Sequence, residues 1–341
     1  SIGLVGSEMC IRDRFKDKTV LITGANGILP AYMVESLLLI NNTLLKGTPC
    51  KVIGLCRSKQ NAHQRFEDYL SDKNLKIIYQ DVSNEIKIKE KIDFIIHAAS
   101  PASPKQYNAN VKNVILPNVL GTINTLELAK DNNLKGYLYL SSVDVYGQID
   151  DGNVFTETEY GFLDPTSVRS CYAESKRIGE NLCVSYGNQY KIPVKIVRPS
   201  HTYGPGMKLD DGRVFADFVK NIVNDENIEM KSDGSARRPF CYLSDATIAF
   251  FIVLLNGKLN NAYNVSNSKT IISIKNLATK LVSLFPDKGL EVIFTKHDKD
   301  YLESPVKGNI VDTTKLEKLG WKPSVSLDAV SYTHLTLPTI E

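Results

Sequence analysis

The 341-residue chain has six cysteines, and no two of them form a Cys-x-x-Cys pair. That excludes a disulfide framework of the secreted kind and a zinc module of the usual spacing. Reduced thiols in a cytoplasmic protein are expected. No apolar run reaches the roughly 18–20 residues of a membrane span. The longest, Ala249-Phe-Phe-Ile-Val-Leu-Leu255, reads as a buried helix segment. Charge of one sign is not in excess either: Lys and Arg number 41 against 38 Asp and Glu, a net of +3. Without a concentrated basic face no nucleic-acid partner is expected. No metal site, internal repeat or low-complexity linker is read. What remains is ordinary for a globular chain, 43% hydrophobic and 23% charged, enough for one large domain or up to two. The two ends, Ser1–Arg14 and Ser331–Glu341, lack any helical or strand period and read as non-native tails resembling translated adapter sequence. Ser1–Arg14 also lacks the basic start of a signal peptide.

Between the tails, strands alternate with helices. Strands are expected at Thr19-Val-Leu-Ile-Thr23, Lys51-Val-Ile-Gly-Leu55, Leu75-Lys-Ile-Ile-Tyr79, Asp93-Phe-Ile-Ile-His97, Gly136-Tyr-Leu-Tyr-Leu140 and Val194-Lys-Ile-Val197. Helices are expected at Tyr32–Ile40, around Asn118–Lys130 and at Tyr172–Tyr186, with a polar loop over Gly147–Val168. This alternation predicts an α/β fold: a Rossmann-type, doubly wound parallel sheet. The pattern loosens after Met207. Residues 15–206 are therefore expected to form the dinucleotide-binding part with the catalytic residues, and 207–330 mainly a smaller substrate-binding lobe.

The first strand runs into Gly24-Ala-Asn-Gly27 and then a helix. In that context Gly24 permits a tight turn. Gly27 lets backbone N–H groups of Asn26, Gly27 and Ile28 approach a pyrophosphate at the helix N-terminus. The third small residue of the usual pattern is here Pro30, which suits a first helical turn because its missing N–H is not needed there. Asp81-Val82 and Ala98-Ala-Ser100 at later strand ends complete a groove for the cofactor, with Asn118 beyond them. Arg57, after the second strand, could pair with the 2′-phosphate of NADP, where an acidic residue would take the ribose hydroxyl of NAD. It could equally be a solvated surface residue.

A second constellation carries chemistry. Leu140-Ser-Ser-Val-Asp-Val-Tyr-Gly147 follows a strand, and Tyr172-Ala-Glu-Ser-Lys176 places a tyrosine and a lysine one turn apart on a helix face. A tyrosine with a pKa near 10 is a poor base at neutral pH. A neighbouring lysine favours the tyrosinate, and a serine hydroxyl can hydrogen-bond the substrate oxygen.

These residues resemble the extended short-chain dehydrogenase/reductase superfamily of nucleotide-sugar enzymes, over about residues 17–328. Within it the resemblance is strongest to the UDP-glucuronate decarboxylases (UDP-xylose synthases). It rests on Ala98-Ala-Ser-Pro-Ala-Ser-Pro104 followed by Tyr107, Asn118-Val-Leu-Gly-Thr122, Arg169-Ser-Cys-Tyr-Ala-Glu-Ser-Lys-Arg177, Thr202-Tyr-Gly-Pro205, Asp211-Gly-Arg-Val214, the run Gly234–Asp245 and Leu319-Gly-Trp-Lys-Pro323. The resemblance implies a nicotinamide cofactor recycled within one turnover, NAD or, given Arg57, NADP. It implies Tyr172 as base, Lys176 as its tuning partner, Ser142 as hydrogen-bond donor and Asp144 beside the sugar. Ser103, His201, Arg213 and Arg238 would face a nucleotide-sugar substrate, arginine forks suiting phosphate. A homodimer is also implied.

Departures bear on the alternatives. Asp144 stands where the decarboxylases carry a glutamate, His201 where they carry an asparagine and Gly206 where they carry an arginine. Ser304-Pro-Val-Lys-Gly-Asn309 replaces their Arg-x-Pro-Asp. Val143 occupies the position of the aspartate that 4,6-dehydratases use as general acid. The leading expectation is conversion of UDP-glucuronate to UDP-xylose. The alternatives are a nucleotide-sugar 4-epimerase or 4,6-dehydratase, and a non-catalytic dinucleotide sensor.

Overall fold

A computed structural model describes residues 14–103, 107, 110–148, 154–295 and 310–327. The expected non-native tails, apart from Arg14, and the Ser304–Asn309 departure lie outside the described residues. Seven strands form one parallel sheet. They are β1 (Thr19–Thr23), β2 (Lys51–Cys56), β3 (Leu75–Tyr79), β4 (Phe94–His97), β5 (Gly136–Leu140), β6 (Val194–Pro199) and β10 (Asn261–Val265), in the order β10-β6-β5-β4-β1-β2-β3. Strands β4, β5 and β6 are buried along their whole length. A parallel sheet covered on both faces requires this, and it explains their near-continuous apolar runs.

The two-residue period of the strands divides the core. Val20 and Ile22 of β1 join one cluster with Ile96 and Leu138, against helices α1 (Ile28–Asn42) and α6 (Leu243–Asn256). Leu21 joins the opposite cluster with Ile53, Ile95, Tyr137 and Tyr139, against α3 (Val111–Lys130) and α4 (Cys171–Tyr190). A short helix, α2 (Lys59–Arg65), follows β2 and is capped by the Ser58 hydroxyl. The strand order reverses between β1 and β4, which opens a crevice at the C-terminal strand ends.

The seventh strand forms against the propensity of its own residues. Asn261-Ala-Tyr-Asn-Val265 carries two asparagines, a residue type depleted in strands, yet it pairs in parallel with β6. The segment after residue 206 thus returns α6 and β10 to the main sheet. Most of the remainder, together with His201–Tyr203 before it, forms a lobe with its own apolar cluster around Tyr203, Phe218, Ile228, Phe240 and Leu281. The lobe holds β7 (His201–Tyr203), β8 (Ile228–Met230), β9 (Arg237–Tyr242), β11 (Ile271–Ser273) and β12 (Val292–Phe294), with helices α5 (Val214–Val223) and α7 (Ile274–Ser283). One small sheet has the order β11-β9-β7 and the other pairs β12 with β8. A last short helix, α8 (Thr314–Glu317), precedes Trp321.

Two of the sequence strings meet at Asp245 near the start of α6. Its carbonyl accepts from Trp321 Nε1 at 2.9 Å, and its carboxylate accepts from the backbone N–H groups of Ser324 and Val325 at 3.0 and 2.9 Å. That arrangement satisfies a buried carboxylate and ties the C-terminal string to the sheet.

Candidate functional site

The crevice at the strand reversal is lined by Gly24, Asn26, Leu55, Arg57, Asp81, Val82, Ala99 and Ser100. Gly24 has φ +64°, and a Cβ there would lie 2.7 Å from Ala99 Cα. Both the left-handed backbone and the close approach of two chain segments therefore demand glycine. Gly27 is the N-cap of α1 and no side chain caps that helix, so the N–H groups beginning at Ile28 are open to an anion. Ser100 Oγ is buried without a hydrogen-bond partner among the described residues. An uncapped helix start, a glycine-tight turn and an orphaned hydroxyl facing one groove fit a dinucleotide whose pyrophosphate would sit on Gly24–Ile28. Arg57 stands at the rim, 4.0 Å from the Asp81 carboxylate.

Asn118 lies away from the groove wall, between α3 and α4. Its Nδ2 donates to Val114 O at 3.0 Å and to Ser175 Oγ at 2.9 Å. Pro117 beside it lines the groove.

Tyr172, in the first turn of α4, and Lys176, one turn on, are both buried. Lys176 Nζ donates to Leu140 O at 2.6 Å and stands 5.8 Å from the centre of the Tyr172 ring and 5.0 Å from that of Tyr139. Burial pulls the lysine from its ordinary 10.5 down to about 7, against the opposing charge of Glu180. Burial also holds the Tyr172 phenol above its ordinary value, and the Asp144 carboxylate adds to that. The Ser142 hydroxyl and the Arg213 guanidinium push it the other way. Two groups to which the Tyr-x-x-x-Lys spacing did not point thus favour the tyrosinate.

Ser142 ends the β5 turn and caps a 3-10 segment over Val143–Tyr146, its Oγ accepting from Asp144 N at 3.2 Å. Val143 is buried. Desolvation raises the Asp144 carboxyl, and the charges of Arg169 and then Arg238 draw it down. His201 is held neutral, burial together with the Arg238 and Arg213 charges lowering it to about 3. Arg213 is itself engaged by Asp211, Nη2 donating to Oδ2 at 3.0 Å, and Ser103 Oγ donates to the Asp211 carbonyl. The structure therefore gathers Ser142, Asp144, Tyr172, His201, Arg213 and Arg238 within mutual electrostatic reach.

Two residues quoted in the strings acquire a place only here. Tyr107 stacks on Tyr172, with ring centroids 5.1 Å apart and planes at 15°. The Arg169 guanidinium lies over the Tyr107 ring, 4.6 Å from its centre. Aromatic and cation–π stacking of this kind holds the phenol's orientation. Sequence spacing carried no signal for it, because Tyr107 lies more than sixty residues before Arg169 and Tyr172.

The chain is 30% identical over 311 residues to UDP-glucuronic acid decarboxylase 6 of Arabidopsis thaliana, covering 90% of this chain and 85% of that protein. Its fold matches a dTDP-glucose 4,6-dehydratase from Streptomyces venezuelae solved with NAD bound, at a TM-score of 0.80 and 22% identity, covering 93% of this chain and 95% of the other. It also matches UDP-glucuronic acid 4-epimerase from Bacillus cereus in complex with UDP-glucuronic acid and NAD, at 0.79 and 22%, covering 93% and 98%. The model of the NAD dependent epimerase/dehydratase family matches residues 20–266. With that match spanning most of the sheet and the whole Ser142–Tyr172–Lys176 set, the chain belongs to the NAD-dependent epimerase/dehydratase family.

Proposed function

We propose that the chain is a UDP-glucuronate decarboxylase, converting UDP-glucuronate to UDP-xylose through a 4-keto sugar. The observation that carries this reading is the buried Tyr172 phenol with the Ser142 hydroxyl and the Asp144 carboxylate beside it, flanked by Arg169 and Arg238. NAD, when bound in the groove over Gly24–Ile28, supplies reversible hydride transfer at C4 of the sugar.

The chain's own residues do the rest. Tyr172 Oη takes the proton of the C4 hydroxyl, and the Ser142 hydroxyl hydrogen-bonds the same oxygen. Lys176, with Nζ 5.8 Å from the centre of the Tyr172 ring, favours the developing tyrosinate in its protonated form. Once C4 is a ketone, the carboxylate on C5 is β to it. CO2 then leaves with its bonding electrons drawn into the ketone. Asp144 orients the sugar or a water around C5, and the resulting enolate is reprotonated there. Arg213 and Arg238 receive the diphosphate and the acidic sugar. The reaction is redox-neutral, so the cofactor is recycled. NAD rather than NADP is the expected cofactor, because Asp81 beside Arg57 opposes a 2′-phosphate.

Apolar, buried Val143 offers no proton for loss of a C6 hydroxyl, which disfavours 4,6-dehydration. The test is incubation of purified protein with UDP-glucuronate and no added cofactor. CO2 and UDP-pentose by mass spectrometry are expected. UDP-galacturonate as sole product would establish the epimerase reading, and no product from UDP-, dTDP-, CDP- or GDP-sugars would favour the sensor. Tyr172→Phe is expected to abolish turnover.

We further propose a cytoplasmic homodimer. Support comes from the unpaired cysteines among the described residues and from the exposed apolar Leu120, Val168 and Ile178 on or beside α3 and α4. Sedimentation velocity reads the second point.

A further inference from the structure

His97 is fully buried at the end of β4, between the groove and α3, and the mechanism above does not use it. Its Nδ1 lies 2.8 Å from Thr23 Oγ1 and its Nε2 lies 3.1 Å from Thr122 Oγ1. Which nitrogen carries the proton follows from what the two hydroxyls must do. Thr122 Oγ1 is 2.6 Å from the Asn118 carbonyl, a group that can only accept. The Thr122 proton is committed there, so Nε2 must donate to Thr122. Thr23 Oγ1 receives the backbone N–H groups of Ala98 at 3.1 Å and Ala99 at 3.2 Å. With two donors on its oxygen, its own proton goes to Nδ1, which must accept. The two constraints are independent and agree.

We infer that His97 is a positioning residue for the cofactor groove. It is a neutral, Nε2-protonated imidazole at the centre of a one-directional hydrogen-bond chain from the Ala98 and Ala99 amides to the Asn118 carbonyl. The chain joins three places that matter. At one end it fixes Ala99 against the Gly24 turn, where the two backbones leave no room for a Cβ. It also sets the start of Ala98–Ser100, whose last residue lines the groove. At the other end Asn118 Nδ2 donates to Ser175 Oγ, which donates to the Tyr172 carbonyl at 2.8 Å. Cofactor wall and catalytic helix are thereby held in register. Gly121 explains why the ring can lie there: a Cβ at that position would meet Val82 Cγ1 at 2.8 Å and His97 Cε1 at 3.3 Å. Burial lowers His97 to about 3, so the relay keeps one polarity at working pH.

This inference rests on the groove being a dinucleotide site, and its primary test does not depend on turnover. Full-length protein labelled with 15N-histidine is read by long-range nitrogen–proton correlation, with His97 assigned by loss of its signals in His97→Asn. A neutral ring protonated on Nε2 from about pH 5 to 8 is expected. An Nδ1-protonated ring, or one that titrates in that range, overturns the assignment. The second arm is NAD binding by calorimetry. Thr23→Val removes the acceptor of two amides and is expected to weaken NAD about 10- to 100-fold, while Thr23→Ser stays within about threefold. Folded Thr23→Val that binds NAD like wild type overturns the positioning role. Absence of decarboxylation by the wild type would sink the proposed function and leave both readouts intact.

Discussion

Gly179 lies on α4 almost one turn beyond Lys176, and a Cβ there would fall 2.0 Å from Tyr139 Oη and 2.6 Å from its Cζ. Tyr139 is fully buried, and its hydroxyl has no hydrogen-bond partner among the described residues. Gly179→Ala therefore sets two effects against each other. Alanine gains about 1 kcal/mol over glycine inside a helix. Overpacking a rigid core costs about 1–3 kcal/mol, and a contact at that distance belongs at the upper end. The net expectation is destabilisation by roughly 1–2 kcal/mol. It should come with a loss of about 100-fold in kcat, because the helix that must shift carries Tyr172 and Lys176. Tyr139→Phe alone removes a buried, unpartnered hydroxyl. It should be neutral to about 1 kcal/mol stabilising, since the Lys176 contact is with the ring face. The double variant relieves the worst contact but not the one to Cζ. It should recover part of the stability and rate, with a coupling of about 1 kcal/mol. Urea unfolding followed by circular dichroism, with decarboxylation rates for the four proteins, measures the cycle. Gly179→Ala that is more stable than wild type, or strict additivity, refutes the steric account.

Three further outcomes follow from other positions. Gly24→Ala adds about 1–2 kcal/mol of left-handed strain to its contact with Ala99, so calorimetry should show NAD binding weakened by at least about tenfold; unchanged affinity would reject the tight-turn account. Lys176 falls from 10.5 to about 7 on folding, so between those values the unfolded chain binds more protons and stability rises with pH. The penalty of burying the ammonium is full below about 7, and Lys176→Met should flatten the rise of the urea midpoint over that window, parallel curves counting against it. Buried Arg198 donates to both Glu180 oxygens, at 2.9 and 2.6 Å, and to the Tyr146 and Tyr160 hydroxyls at 2.9 and 2.7 Å. Arg198→Met strands the Glu180 charge and should cost about 3–5 kcal/mol, much of it regained in Arg198→Met with Glu180→Leu; equal losses in both would place the cost in packing instead.

The amino-acid sequence by itself determined the six N-terminal strands of the sheet: β4, β5 and β6, buried along their whole length, are written as apolar runs, and the half-exposed edge strand β3 is a short β-branched and aromatic run. It also located the glycine turn and the Tyr172–Lys176 pair, whose chemistry depends on residue type at short spacing. Only the tertiary structure decided the rest. Strand β10 is held by its partner β6 rather than by its own residues. The three-residue strands of the lobe are too short to carry a period. The Tyr107–Tyr172 stack joins residues far apart in the chain, and Arg57 finds Asp81 only once two strand ends lie side by side. His97 shows the division within one residue. Its place at a strand end was plain from the sequence, but its tautomer depends on Thr23 and Thr122, each distant along the chain. Hydrogen-bond direction is a property of assembled groups, and no local pattern encodes it.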